Sequence, residues 1–177
     1  SWKTIKASRQ SRPVFLSILA ISWFWFLGAA YLTQFPNYTV TILKSSGGVV
    51  TLLLACFSMG IGIGSLLCEH LSDKKVELGL VPLGVLGLTL FGIDLCFAYH
   101  AREAGELMTL LPFLASQGSF RVIADLLLIG VFGGFYTVPL YAYIQLKSPP
   151  SGRARVIAAN NILNALFMVM SAAAGII

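Results

Sequence analysis

Five long apolar stretches divide the chain. Three of them contain no charged residue, and each of the other two contains a single aspartate, Asp94 or Asp125. A helix that crosses a bilayer needs about 20 mainly apolar residues, and each stretch is long enough. The stretches lack the strong period-two alternation of membrane β-barrel strands. The pattern therefore predicts five transmembrane helices, at about residues 14–35, 46–68, 78–99, 121–146 and 156–177.

Composition leads to the same fold class. Of the 177 residues, 57% are hydrophobic and only 11% are charged. A soluble domain of this length would need more polar surface, so lipid must cover much of the chain. The first stretch is too long for a signal peptide, and four more follow it. We therefore expect an all-α integral membrane protein whose main partner is the lipid bilayer.

The Lys and Arg residues are unevenly placed. Nine of the twelve precede the first predicted helix or lie in the second and fourth connections, and three lie elsewhere. An excess of Lys and Arg marks the cytoplasmic side of a membrane protein. The N-terminus is therefore expected in the cytoplasm. The net charge of +5 is explained by topology, so no nucleic-acid partner is expected.

The chain ends suggest that more protein lies on either side. It begins with Ser1 rather than Met, and it ends at Ile177 within an apolar stretch. We expect residues 1–177 to be part of a longer polypeptide.

Two stretches contain residues that weaken a helix. Proline removes a backbone hydrogen bond, so Pro36 predicts either a helix end followed by an interfacial segment or a bent helix. In the bent helix, Gln34 and Asn37 would line a cavity. The fourth stretch contains Gly133, Gly134 and Pro139, and it is the one most expected to flex or break. The alternative is that this helix packs closely against its neighbours and tolerates a kink.

Three charged residues lie within or beside the apolar stretches. Asp94, Arg121 and Asp125 fall at similar heights when counted along their helices. An ion pair through Asp94 could join the third and fourth helices, or Arg121 could meet a substrate phosphate, or it could extend to lipid headgroups.

Uncharged polar residues also occur on apolar faces. Trp25 and Tyr136 are candidate substrate-binding residues, although core packing is the simpler role for Trp25. Asn160 and Asn164 are four residues apart, so they share a helix face and are expected to form interhelical hydrogen bonds.

No arrangement of residues indicates catalysis. The three cysteines lack metal-ligand spacing and are expected to be reduced thiols, and no Ser/His/Asp constellation is evident. We therefore expect no enzyme active site, no cofactor and no metal.

The connection after the second stretch carries a recognisable motif. The segment from Gly60 through Gly64 to Asp73 and Lys74 resembles the cytoplasmic motif of the major facilitator superfamily. The family motif continues with glycine and further basic residues, whereas here Val-Glu-Leu follows. The resemblance implies that Gly64, Asp73 and Lys74 steady one state of a transport cycle.

Three further segments are similar to the lysophospholipid transporters of that superfamily: residues 76–84, 133–145 and 153–161. The resemblance implies helices seven to eleven of twelve, with a six-helix N-terminal half missing. It also implies inward movement of lysophospholipids, such as lysophosphatidylethanolamine, across a bacterial inner membrane by alternating access. Some relatives are fused to an acyltransferase and an acyl-carrier-protein ligase.

Two other functions remain open. One is proton-coupled efflux of amphiphilic compounds, in which Asp94 or Asp125 would titrate. The other is a membrane anchor for a fused acyltransferase.

Overall fold

The computed structural model describes residues 12–72, 76–98 and 107–175. These ranges form five long helices and one short helix: α1 (Arg12–Thr41), α2 (Gly47–Leu71), α3 (Leu80–Phe97), α4 (Leu110–Leu114), α5 (Ser119–Lys147) and α6 (Arg153–Ala174). The five long helices are long and apolar enough to cross a membrane. The described ranges contain no β-strand. The predicted all-α membrane fold with five spanning helices is confirmed.

The first helix is longer than the sequence pattern suggests. It continues through Pro36 to Thr41, whereas the expected span ended near residue 35. The interpretation of a helix end at this proline is therefore wrong. Packing offsets the missing N–H of the proline, because Phe35 and Thr39 are both buried. The Thr39 hydroxyl also donates a hydrogen bond to the Phe35 carbonyl, at 2.9 Å.

The chain divides into two compact units. The first unit comprises Ser1–Thr33 and Thr137–Ile177, and the second comprises Gln34–Tyr136. Both divisions fall within helices, α1 and α5, rather than in connections. In the first unit, buried apolar side chains come from three helices, with Ile18 and Ile21 on α1, Ile144 on α5 and Ala159 on α6.

The second unit has a core that includes side chains from its connections. Phe113, on the short helix α4, is fully buried in this core. The segment before it pairs with the α1–α2 connection, since the Met108 N–H donates to the Lys44 carbonyl at 2.8 Å. The Ser46 N–H donates in turn to the Met108 carbonyl at 2.9 Å. The two connections are therefore held together by backbone hydrogen bonds.

Glycines bring α2 and α5 into backbone contact within the second unit. A Cβ atom at Gly60 would lie 2.1 Å from the Leu127 carbonyl oxygen, and one at Gly64 would lie 2.1 Å from that of Val131. Such a separation is far below van der Waals contact, so only glycine permits this approach. In lipid, where burying apolar surface gives little advantage, such close packing is a main source of helix association.

This helix crossing predicts that alanine substitutions at two neighbouring glycines differ strongly in their effect on stability. Gly64→Ala should force α2 and α5 apart and lower the free energy of unfolding by about 1–3 kcal/mol, as overpacking commonly does. Gly62→Ala is the matched control, because a Cβ atom at Gly62 meets nothing within 4 Å. Thermal unfolding of both purified variants in detergent measures the effect. Equal midpoints for the two variants would show that the crossing does not limit stability.

Candidate functional site

Asp94 and Arg121 form an ion pair within the second unit. The Arg121 Nε donates to Asp94 Oδ2 at 2.9 Å, and Nη2 donates to Asp94 Oδ1. Two parallel hydrogen bonds of this kind fix both distance and orientation. The pair joins α3 to α5, as one of the sequence interpretations expects.

The positions of these two charges explain why they need each other. Arg121 is in the first turn of α5, where the helix dipole disfavours a cation, and Asp94 is in the last turn of α3, where it disfavours an anion. Each charge is therefore unfavourable for its own helix. Pairing across the two helices offsets both penalties.

Asp125 adds a second carboxyl group to this cluster. It lies one turn after Arg121 on α5, is only 3% exposed, and interacts with both Asp94 and Arg121. Its Oδ2 atom has no hydrogen-bond partner among the described residues. We call Asp94, Arg121 and Asp125 the charged cluster. With both carboxyl groups ionised, its formal charge is −1.

The ion pair leaves room for a further ligand. About half of the Arg121 side chain and a third of the Asp94 side chain are exposed (51% and 35%). A guanidinium has five N–H donors, and the two bonds to Asp94 use two of them. A phosphate contact at Arg121 stays a prediction, and the geometry is compatible with it.

A second polar cluster joins three helices of the first unit. Ser22 Oγ donates to Asn164 Oδ1 at 2.9 Å, and Asn164 Nδ2 donates to the Tyr141 hydroxyl at 3.3 Å. Trp25 Nε1 also donates to the Tyr141 hydroxyl, at 3.1 Å. We call these four residues the amide–aromatic network. The expected interhelical hydrogen bonding of Asn164 is present.

The network contains two residues that the sequence pattern did not single out. Ser22 and Tyr141 lie in apolar stretches that contain several other serines and tyrosines. Nothing in their spacing distinguishes them, and only the packing of α1 and α5 against α6 identifies them as partners of Asn164. Trp25 was a candidate substrate-binding residue, and here its indole N–H has a partner within the protein.

The remaining predicted binding residues are not brought into either cluster. Gln34 and Asn37 are exposed near the end of α1, and Tyr136 is partly buried on α5. The backbone of Tyr136 packs against Gly84, where an added Cβ atom would lie 2.7 Å from its nitrogen. Roles for these three residues in substrate binding stay predictions.

The predicted hinge residues lie in continuous helices. Helix α5 runs without a break through Gly133, Gly134 and Pro139, all of which are buried. Gly134 packs against the backbone of Gly64 at the α2–α5 crossing. Close packing is therefore the role that the structure displays for Gly134, and bending during transport stays a prediction for this helix and for Pro36.

The predicted conformational motif is only partly described. Gly64 lies at the helix crossing, whereas Asp73 and Lys74 lie outside the described residues. Within residues 12–72, 76–98 and 107–175, no group of three or more His, Cys, Asp or Glu side chains could hold a metal ion.

Comparison with known proteins identifies a family. The sequence model described as the Major Facilitator Superfamily matches residues 1–172, which is nearly the whole chain. No curated protein and no solved structure matches the chain.

The ion pair can be tested with a substitution of one partner and a second, compensating substitution of the other. Arg121→Gln should reduce the amount of folded protein, because Asp94 and Asp125 lose the cation that they share. Adding Asp94→Asn removes one of these carboxylates and should restore much of the folded fraction. Size-exclusion chromatography of the detergent-solubilised variants measures that fraction. If Arg121→Gln folded like the wild type and the second change had no effect, the ion pair would not hold α3 and α5 together.

Proposed function

Because the chain belongs to the Major Facilitator Superfamily, a family of membrane transporters, we propose that it moves lysophospholipids across the bacterial inner membrane by alternating access. Lysophosphatidylethanolamine is the substrate that we consider first. Members of this superfamily are transporters rather than enzymes, which fits the expectation of no active site.

The scarcity of charge on the described helices is the observation that supports this substrate class. Between residues 45 and 146, Arg121 is the only Lys or Arg in the described part of the chain. A guanidinium with free donors suits the phosphate of a lipid headgroup. A sugar would instead require many hydrogen-bonding side chains.

Aromatic and apolar side chains suit the acyl chain of such a substrate. On α1, Trp23 stacks on Phe26 with ring centroids 5.1 Å apart, and Trp23 is largely exposed. The polar groups near them in the first unit belong to the amide–aromatic network, whose members are all uncharged. These side chains of the first unit suit the apolar tail of an amphiphile.

The proposal includes an arrangement of the whole transporter. The five spanning helices would be helices seven to eleven of twelve, and a six-helix N-terminal half would complete the substrate cavity. The N-terminus of the chain would face the cytoplasm. Gly64, Asp73 and Lys74 would steady one state of the cycle, while Pro36, Gly133, Gly134 and Pro139 would allow bending. A fused or neighbouring acyltransferase would use the transported lipid.

Asp125 supports a second candidate function, proton-coupled efflux of amphiphilic compounds. Its carboxyl group is buried beside that of Asp94, which is already paired with Arg121. Repulsion between two neighbouring carboxylates favours a proton on one of them. Asp125 is therefore the group of the charged cluster that could take up and release a proton.

A reconstitution experiment tests both candidates. The full-length protein is placed in liposomes with lysophosphatidylethanolamine in the outer leaflet, and a membrane-impermeant amine reagent reports the lipid that remains outside. We expect the lipid to become inaccessible to the reagent faster than in protein-free liposomes, with or without a pH gradient. A flux that stops when the gradient is collapsed would favour the proton-coupled candidate, and no flux above the control would contradict transport of this lipid.

A further inference from the structure

Asn160, on α6, has an unpaired oxygen in a buried position. Its side chain is 2% exposed, and Oδ1 has no hydrogen-bond partner among the described residues. Its Nδ2 has only a long contact, 3.4 Å, to Asn161 Oδ1. A buried polar atom without a partner destabilises a fold, so an amide at this position needs an explanation.

The neighbouring network does not donate a hydrogen bond to this oxygen. Asn164 lies one turn further along α6 on the same face, and its amide is paired with Ser22 and Tyr141. The Tyr141 hydroxyl accepts hydrogen bonds from Trp25 and Asn164, and neither this hydroxyl nor the Asn164 amide donates to Asn160 Oδ1. Among the described residues, Asn160 Oδ1 is therefore an acceptor that the network leaves without a donor.

The charge of the first unit restricts what the donor can be. All seven Asp and Glu residues of the chain lie between Glu69 and Asp125, so the first unit contains none. A cationic donor, such as an ammonium group, would find no acidic side chain of this unit as its counter-ion, which is costly. A neutral hydroxyl group does not carry this penalty.

We propose that Asn160 Oδ1 accepts a hydrogen bond from the free glycerol hydroxyl of a lysophospholipid. This inference rests on the proposed function. The hydroxyl is the group that distinguishes a lysophospholipid from a diacyl phospholipid, in which it is esterified and cannot donate. Asn160 is then a specificity-determining residue, because a buried acceptor built for a hydroxyl rejects an analogue that leaves it unpaired.

The position of Asn160 also indicates when the contact forms. Oδ1 is enclosed by protein in this conformation, so the substrate reaches it in another conformation of the transport cycle. Between those states the Asn160 oxygen stays unpaired, which costs stability.

Binding to the full-length wild-type protein tests the proposal directly. Lysophosphatidylethanolamine is compared with an analogue in which hydrogen replaces the free glycerol hydroxyl. We expect the Kd of the analogue to be about tenfold higher, the effect of one hydrogen bond to a buried group. Equal Kd values would overturn the role of Asn160. A wild-type protein that bound neither lipid would instead contradict the proposed function itself.

Two variants separate recognition from folding. Asn160→Leu keeps the shape of the side chain but removes the acceptor, so the variant should bind both lipids equally and unfold at the wild-type temperature or above. Asn164→Leu, the matched change one turn away, should unfold at a lower temperature because it leaves Ser22 and Tyr141 without their partner. Ile162→Ala, at an exposed neighbouring position, should keep the wild-type preference.

The variants can also overturn the proposal. If Asn160→Leu still preferred the hydroxyl-bearing lipid, Asn160 would not be the residue that recognises the hydroxyl group. If Asn160→Leu unfolded as early as Asn164→Leu, its oxygen would have a structural partner, and the inferred role would be wrong.

Discussion

This structure depends on the fact that hydrocarbon, rather than water, surrounds the spanning helices. In the bilayer core no water can hydrogen-bond to an exposed N–H or C=O group, so each segment must satisfy its own backbone as a helix. Burying apolar side chains between helices gives little advantage over leaving them in lipid. Close van der Waals contact between helices must therefore drive their association. This explains the glycines Gly60 and Gly64 on α2, which let the backbone of α5 approach.

The same constraint separates the polar side chains into two kinds of cluster. Asp94 and Arg121 are charged, lie at helix ends and neutralise each other across α3 and α5. In the first unit, Ser22 and Asn164 are uncharged and buried, and their hydrogen bonds join helices distant in sequence. A buried polar atom without a partner is costly, and Asp125 in the charged cluster and Asn160 beside the amide–aromatic network each have one. We therefore associate these two positions with transport.

The main features of the fold could be predicted because they depend on long stretches of sequence. The absence of charge over more than a helix length indicates a membrane span without any knowledge of tertiary contacts. The Asp94–Arg121 pair could also be anticipated, because counting residues along two helices places the charges at the same height. Gly60 and Gly64 indicated close packing, but the helix that approaches them could not be deduced from their spacing.

Features set by tertiary packing could not be predicted. The continuation of α1 through Pro36 depends on the burial of Phe35 and Thr39, which a local rule about proline does not include. Ser22 and Tyr141 resemble other serines and tyrosines in apolar stretches, and only the arrangement of three helices makes them partners of Asn164.

Topology in the membrane tests the central claim most directly. Cysteine is placed at Gln117, just before α5, or at Ser151, just after it, in a protein whose native cysteines have been replaced, and intact cells are treated with an impermeant maleimide. The account predicts labelling of the cysteine at 117 from outside, and labelling of the cysteine at 151 only after permeabilisation. Equal labelling of both positions in intact cells would contradict α5 as a membrane-spanning helix, and with it the account of hydrocarbon as the solvent.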